Sequence, residues 1–412
     1  MKENFLNIPS ASELAPERRK EKDEAKPERE GEFDLDIFVT DHSPDNPDTG
    51  SPEKLRELYK DVARDGVDRI RYDFHWGKLE SQPGEFDSEL MERYKDAKRA
   101  QTEAGLKEPI IILSNPPAWA VKLYKEGGKE DFYSAFEEYA EEVKNALERA
   151  GGEKITTIQI LNELNNKVFT PVAVEDIPRM CQIVREVFKD YNPDLKLMAT
   201  VNANSLAKLV GSDAKDFLPE LKKIKGSFDR ISIDNYPGTW HFPDKEAKLD
   251  ESLDFSEWPP TKGVFKKLVK QFDLLKKMME EVATWGKDYD LGETGLPSKL
   301  PWGGEKSQRY FYDAFFREFK HLMVDFKERG LKLPSTIGLY EAIDEPKRNL
   351  KDEILNLTPF PEFSFGMRTG DGDRKMILRG KQGREDGSSQ LSEIIDYLRA
   401  PMEKSKDKKV EK

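Results

Sequence analysis

Eight short runs rich in apolar and β-branched residues recur along the chain, at residues 33–40, 68–74, 109–114, 156–161, 195–201, 229–234, 288–292 and 335–341. Runs of this length, bounded by polar and turn residues, predict buried strands. Between them the apolar positions switch to a helical spacing. In SPEKLRELYKDVARDG, Ser51 can cap a helix and Pro52 can open it, because the first turn leaves the missing N–H unneeded. Leu55, Leu58 and Val62 form its apolar stripe, and Gly66 can end it. FYSAFEEYAEEVKNALERAGG repeats the plan with Phe132, Phe136, Tyr139 and Val143. GVFKKLVKQFDLLKKMMEEVATWG and SQRYFYDAFFREFKHLMVDFKERG are longer versions.

Strands that alternate with helices pair in parallel, because each crossover needs a helix. Eight such units predict a (β/α)8 barrel, an α/β fold that uses this many residues as one domain. A doubly wound open sheet is the rival. It would show a glycine-rich phosphate turn after an early strand, and the chain has no G-x-G-x-x-G or Walker A sequence. After the eighth run, FSFGMRTGDGDRKMIL reads as a small hairpin with Asp-Gly turn chemistry. Residues 388–398, SQLSEIIDYLR, read as the last helix. Residues 1–32 are so rich in Lys, Arg, Glu and Pro that a disordered or loosely attached arm is expected. The barrel then occupies 33–400, and 401–412 reads as a charged tail.

Composition narrows the functional classes. The 412-residue chain is 36% hydrophobic and 36% charged, and its net charge of −12 is spread along its length. That distribution speaks against a nucleic-acid footprint, which needs a basic face. The single cysteine, Cys181, excludes an intrachain disulfide and sits in a helical pattern as a small core residue. The four histidines, 42, 75, 241 and 321, have no zinc-ligand spacing, so neither a metal nor another cofactor is expected. "DGDR" at 371–374 lacks the further ligands of a cation loop and reads as a turn. The N-terminus carries no apolar leader and no segment is long enough to span a bilayer, so the expectation is a cytoplasmic protein without membrane contact.

The chemistry lies in two strand ends. TIQILNELNN, residues 156–165, finishes an apolar strand with Glu163 among amides, and DYDLGETG, residues 288–295, does the same with Glu293. A glutamate at one strand end is ordinarily a turn or capping residue. Placed after the fourth and seventh strands of one barrel, the two project into the same bowl, where barrel active sites are built. Two carboxyl groups about 5–5.5 Å apart suit retaining glycoside hydrolysis: one protonates the leaving oxygen and the other attacks the anomeric carbon. The roles need unequal environments. Arg71, late in strand two, can hold Glu293 charged, and Tyr236, just past strand six, can donate a hydrogen bond to it. The glycines flanking Glu-Thr in LGETG leave room for backbone and ligand to come close.

The chain resembles clan A of the glycoside hydrolases, the retaining group with its acid/base on strand four and its nucleophile on strand seven. ILNELN matches the Asn-Glu of strand four, and LGETG matches the nucleophile strand. The resemblance implies Glu163 as acid/base, Glu293 as nucleophile and Asn162 as the partner of the sugar hydroxyl beside the reacting carbon. RIRYDFHWGKLESQPGEFD resembles the second βα unit, with Arg71 supporting the nucleophile and a Trp76…Glu80…Pro83-Gly84…Phe86-Asp87 run. SNPPAWA resembles the strand-three loop, DNYPGTW the strand-six loop, and FGMRTGDGDRK the hairpin before the last helix. Two positions depart from the pattern. Asp234-Asn235 stands where many members carry a histidine, and Tyr340-Glu341 where many carry a tryptophan. Both lie where the reacting sugar is gripped.

Further ligand candidates follow from sugar chemistry, in which C–H faces stack on aromatic rings and hydroxyls need fixed polar partners. Trp76, Trp119, Trp240 and Trp302 fall in loops after strands; core filling is the alternative for each. Trp285 reads as structural, and Trp258 lies in a long loop that shapes the cleft or simply packs. His75, Asn115, Asn235 and Glu341 are polar groups at strand ends, with a salt bridge the alternative for Glu341. The expectation is a cofactor-free retaining glycosidase acting on a glycoside or oligosaccharide, with a β-linkage. Transglycosylation at the same two glutamates, a non-catalytic glycan-binding barrel and a metal-dependent hydrolase are the rivals.

Overall fold

The computed structural model describes residues 33–204, 207–237, 262–298, 304–344, 365–369, 371–379 and 389–401. The chain divides into two compact units, Leu35–Leu398 and a second made of Met1–Asp34 with Arg399–Lys412. In the second, the Phe33 N–H donates to the Arg399 carbonyl at 3.1 Å. The expected charged arm, the tail beyond residue 401, and Trp240, Trp258 and Trp302 lie outside the described residues.

Leu35–Leu398 contains eight parallel strands closed into a barrel: β1 (Asp36–Thr40), β2 (Arg69–His75), β3 (Ile110–Ser114), β4 (Thr157–Ile160), β5 (Lys196–Asn202), β6 (Arg230–Asp234), β7 (Asp288–Thr294) and β8 (Thr336–Leu339). Neighbours in sequence are neighbours in space, and β1 closes the ring by pairing with both β2 (Thr40 opposite Arg71) and β8 (Ile37 opposite Ile337). All eight expected runs are these strands.

A main helix follows each strand: α1 (Pro52–Arg64), α2 (Ser88–Glu103), α3 (Lys129–Ala150), α4 (Ile177–Phe188), α5 (Ala214–Ile224), α6 (Lys262–Ala283), α7 (Gly304–Glu328) and α8 (Gln390–Arg399). The local chemistry is the one expected. The Ser51 side chain accepts the Lys54 N–H at 3.4 Å, and Gly66, just past α1, takes φ +91°, where an L side chain would be strained. Of the stripe expected in α1, Leu55 and Val62 are buried and Leu58 is only half-buried, Tyr59 taking the inward position; Phe132, Phe136, Tyr139 and Val143 of α3 are buried. Cys181 is a buried residue of α4, and burial pushes its thiol up to about 12, which keeps it an inert hydrophobe. Trp285 is buried beside the start of β7, with its indole N–H on Glu281 at 2.9 Å.

Phe38, Ile110 and Met198 come from β1, β3 and β5, which are not adjacent, so their contact lies inside the barrel. The alternation of RISID puts Ile231 and Ile233 on one face of β6 and Arg230, Ser232 and Asp234 on the other. At the strands' N-terminal end Arg230 holds Asp290 through bonds of 2.9 and 2.5 Å, and Ser335 and Thr336 donate to the same carboxylate at 3.1 and 2.6 Å. At the C-terminal end polar side chains replace apolar packing, and the candidate site lies there. Among the described residues after β8, Arg368 pairs with Arg374 in an antiparallel bridge. "DGDR" closes it as a turn, the Gly372 N–H donating to the Thr369 carbonyl at 2.8 Å.

Candidate active site

The end of β4 turns sharply. Leu161 has φ +60° and Glu163 φ +47°; with Asn115 (φ +54°) after β3 they are the described non-glycine residues with positive φ. Such conformations cost about 1–3 kcal/mol each and persist only where surrounding bonds over-determine them. Here the Leu161 N–H donates to the Leu113 carbonyl, and the Leu164 N–H to the Thr200 carbonyl, both at 2.8 Å. Asn165 is completely buried, donates to the Asn202 and Ser212 carbonyls at 2.9 and 2.8 Å, and accepts the Asn202 N–H at 2.8 Å. The amide-rich sequence thus docks the β4 loop onto the end of β5 and holds Glu163 in place.

Glu163 is only 6% exposed, and its Oε2 accepts from Asn166 Nδ2 at 2.7 Å. Asn202 supplies a second amide bond. Burial raises its carboxyl to about 7, and the nearby charge of Glu293 adds to the rise. The two amide bonds and Arg71 offset only part of this.

Glu293, also 6% exposed, is held by different groups. Arg71 Nη1 pairs with its Oε1, and the Tyr236 hydroxyl donates to its Oε2. Arg71 is itself completely buried and anchored from two more sides, with Nη1 on Thr40 Oγ1 at 3.2 Å and Nε and Nη2 on Gln159 Oε1 at 3.1 and 2.7 Å. Gln159 passes the network on, its Nε2 donating to Asn162 Oδ1 at 3.0 Å. The arginine that binds Glu293 is therefore wired to the Asn-Glu pair of β4. Tyr236 is aimed by its own N–H, which donates to Asn204 Oδ1 at 2.8 Å, and by ring contacts with Tyr340 and Phe365. Two carboxyl groups that sense each other, one with amide donors and the other with a guanidinium and a phenol, can divide acid and base roles.

Asn162 lies beside this pair, half-buried. Asn235 is completely buried, and its N–H donates to the Glu293 carbonyl at 2.9 Å. Asn115 bonds Ser114 Oγ at 3.0 Å, which in turn donates to Asp73 at 3.1 Å. His75 Nδ1 accepts the Lys78 N–H at 3.2 Å and so caps the short helix Trp76–Leu79; burial, then Lys78, lowers its pKa to about 4, which keeps it neutral. Glu341 is completely buried after a cis Tyr340–Glu341 peptide, and its charge acts on Lys375.

Trp76 is placed differently from the expectation of a sugar platform. It is 1% exposed, stacked on Tyr139 at 5.0 Å and flanked by Phe132, Phe136 and Trp119, so neither ring face is open. Its indole N–H donates to Glu80 Oε2 at 2.7 Å, Glu80 Oε1 accepts the Gly84 N–H at 2.7 Å, and Asp87 caps α2 through the Leu90 N–H at 2.9 Å. The Trp76–Asp87 run is a structural knot. Trp119, half-buried, joins it edge-on and donates to the Glu80 carbonyl at 3.1 Å. Trp76→Ala should therefore destabilise the fold by roughly 3–5 kcal/mol, read as a lowered Tm, and not act as a selective KM change. Tyr236→Phe should leave Tm within a few degrees and lower kcat roughly 10–100-fold with little change in KM, because it frees one oxygen of Glu293. Thermal melts and steady-state kinetics on the two variants separate these outcomes.

The glycines of LGETG also serve a different purpose. A Cβ on Gly292 would lie 2.2 Å from Ser232 Oγ and 2.3 Å from Asp234 Oδ1, and one on Gly295 would lie 2.3 Å from the Tyr340 carbonyl. Both make room for neighbouring strands. Sequence reading passed over Gln159, Asn166 and Asn202. Gln159 left a trace: it is the one polar long side chain inside the β-branched run TTIQIL.

No protein-family model and no curated protein sequence matches the chain. Solved structures do. A family 39 glycoside hydrolase from the gut symbiont Bacteroides cellulosilyticus WH2 is 17% identical with a TM-score of 0.52, over 89% of this chain and 64% of that one. An exo-β-1,4-mannosidase from Opitutaceae bacterium strain TAV5 is 16% identical with a TM-score of 0.58, over 90% and 61%. A β-glycosidase is 15% identical with a TM-score of 0.55, over 90% and 98%. The chain thus spans 64% and 61% of the length of the first two. The likeness is one of fold, the (β/α)8 barrel; these three structures are of glycosidases, where the sequence resemblance to clan A also points.

Proposed function

We propose that the protein hydrolyses β-linked glycosidic bonds with retention, through a covalent glycosyl-enzyme. The observation that carries this reading is the unequal setting of two neighbouring carboxyl groups at the ends of β4 and β7. Glu163, raised to about 7 by burial, keeps its proton until the pH rises through that value and gives it to the glycosidic oxygen as that bond breaks. Glu293, gripped by Arg71 and Tyr236, attacks the anomeric carbon and forms an ester. Glu163, now deprotonated, takes a proton from water; the water oxygen attacks the same carbon, and the ester bond breaks to restore Glu293. The reading requires carboxyl groups about 5–5.5 Å apart. Asn162, tied to the Arg71 network through Gln159, meets the hydroxyl beside the reacting carbon in this reading. The barrel's likeness to glycoside hydrolases supports the substrate class.

The test is the configuration of the first sugar released. On a panel of aryl β-glycosides, proton NMR should show the β-anomer forming first and the α-anomer appearing only by mutarotation. First appearance of the α-anomer would mean inversion.

A further inference from the structure

The strand that carries Tyr236 ends in another acid. Asp234 is completely buried, and neither carboxyl oxygen has a hydrogen-bond partner among the described residues. It stands opposite Glu293 in the β6–β7 register. The next two residues both bind that glutamate, Asn235 through its N–H and Tyr236 through its hydroxyl. Gly292, immediately before Glu293, leaves the space that the Asp234 carboxyl occupies. The sequence thus builds a place for an acid directly beside the one it uses.

An ionised carboxylate there would need a cation or several donors, since an unpaired buried charge costs several kcal/mol. The charged groups that act on Asp234 are Glu293 from β7, Glu163 from the β4 loop and Arg71 from β2. On the other side β5 presents Thr200 and Asn202, opposite Ser232 and Asp234, and neither titrates. Arg71 is already bound to Glu293, Gln159 and Thr40. One guanidinium therefore faces these three carboxyl groups and a fourth, Asp73, two residues along β2.

We propose that Asp234 is a positioning residue for Glu293 that works as a neutral acid and so does not compete with Glu293 for the charge of Arg71. Burial first, and then the charges of Glu293 and Glu163, hold its proton on well above the ordinary carboxylate range, against the pull of Arg71. When Asp234 does ionise at high pH, a second anion competes for Arg71 and loosens its grip on the attacking carboxylate. This inference rests on the proposed function and adds an alkaline limit that Glu163 does not set.

The experiment removes Glu163 first, so that its titration drops out. In Glu163→Ala protein, single-turnover release of dinitrophenolate from the best dinitrophenyl β-glycoside is followed against pH, alone and with Asp234→Ala or Asp234→Asn. The expected result is a rate that falls at alkaline pH with Asp234 present. Asp234→Ala should lower the plateau roughly 10-fold or more, and Asp234→Asn, neutral and isosteric, should recover most of that loss and abolish the alkaline fall. An asparagine variant as slow as the alanine one, or an alkaline fall that persists in it, overturns the proposal while leaving the hydrolase reading intact. No dinitrophenolate release from Glu163→Ala protein overturns both. If Asp234→Ala fails to fold, as judged by circular dichroism, the pH profile of the asparagine variant decides alone.

Discussion

Glu293→Ala should abolish hydrolysis, lowering kcat on the order of 10⁵-fold, the scale on which other enzymes lose turnover with their nucleophile. The reason is geometric. Arg71 and Tyr236 each hold one oxygen of this carboxylate, and no other described carboxyl group is placed so. Azide occupying the space left by the side chain would attack from the same face and give an α-glycosyl azide. The complementary measurement uses a 2-deoxy-2-fluoro glycoside with a good leaving group on the intact protein. The fluorine slows both steps, and the leaving group restores only the first, so the ester accumulates. Peptide mapping should then find one sugar on Glu293 and none on Glu163, Asp288 or Asp290. Label on Glu163 would reverse the assignment.

Glu163→Ala should separate substrates by leaving group. Sugars with poor leaving groups need its proton and should lose roughly 10²–10⁴-fold, the usual worth of general acid catalysis. Dinitrophenyl glycosides need no proton, so their first step should survive and the second become limiting. Azide should speed that second step and yield a β-glycosyl azide, the opposite anomer from the Glu293 variant. The intact protein should also lose kcat on natural leaving groups as pH rises through about 7, because Glu163 gives up its proton there. That loss should vanish in the alanine variant assayed on dinitrophenyl substrates. Equal losses on both substrate types would remove Glu163 from the acid role.

How far the geometry of this site was legible in sequence differs residue by residue. Glu163 and Glu293 were visible because a parallel barrel sends every strand's C-terminal end to one face, so a strand-end acid is located by its strand alone. Tyr236, just past β6, was visible for the same reason; Arg71, expected late in strand two, is the third of the seven residues of β2 and reaches Glu293 from there. Trp76 was misread because position after a strand does not tell which way a side chain turns; the aromatic stripe of α3 and the carboxylate of Glu80 claimed its ring. Gln159 was missed as a site group, and Asp234 was noted only as a departure near the reacting sugar, because the groups they face lie on strands far away in sequence: Arg71 on β2 for the first, and Glu293 on β7 for the second.

The sequence by itself determined the eight strands, the helices between them, and hence the barrel. Each follows from short-range physics: apolar spacing, a serine that caps, a proline that opens a helix, and crossovers that force parallel pairing. It also determined which two acids face one bowl. Only the tertiary structure decided what those acids are. The Glu163 carboxyl is raised because burial outweighs its amide bonds, whereas a buried arginine and a phenol converge on Glu293. Those environments are sums over side chains from β1, β2, β4, β5 and β6, and a charge's energy depends on distances in space that no local pattern encodes.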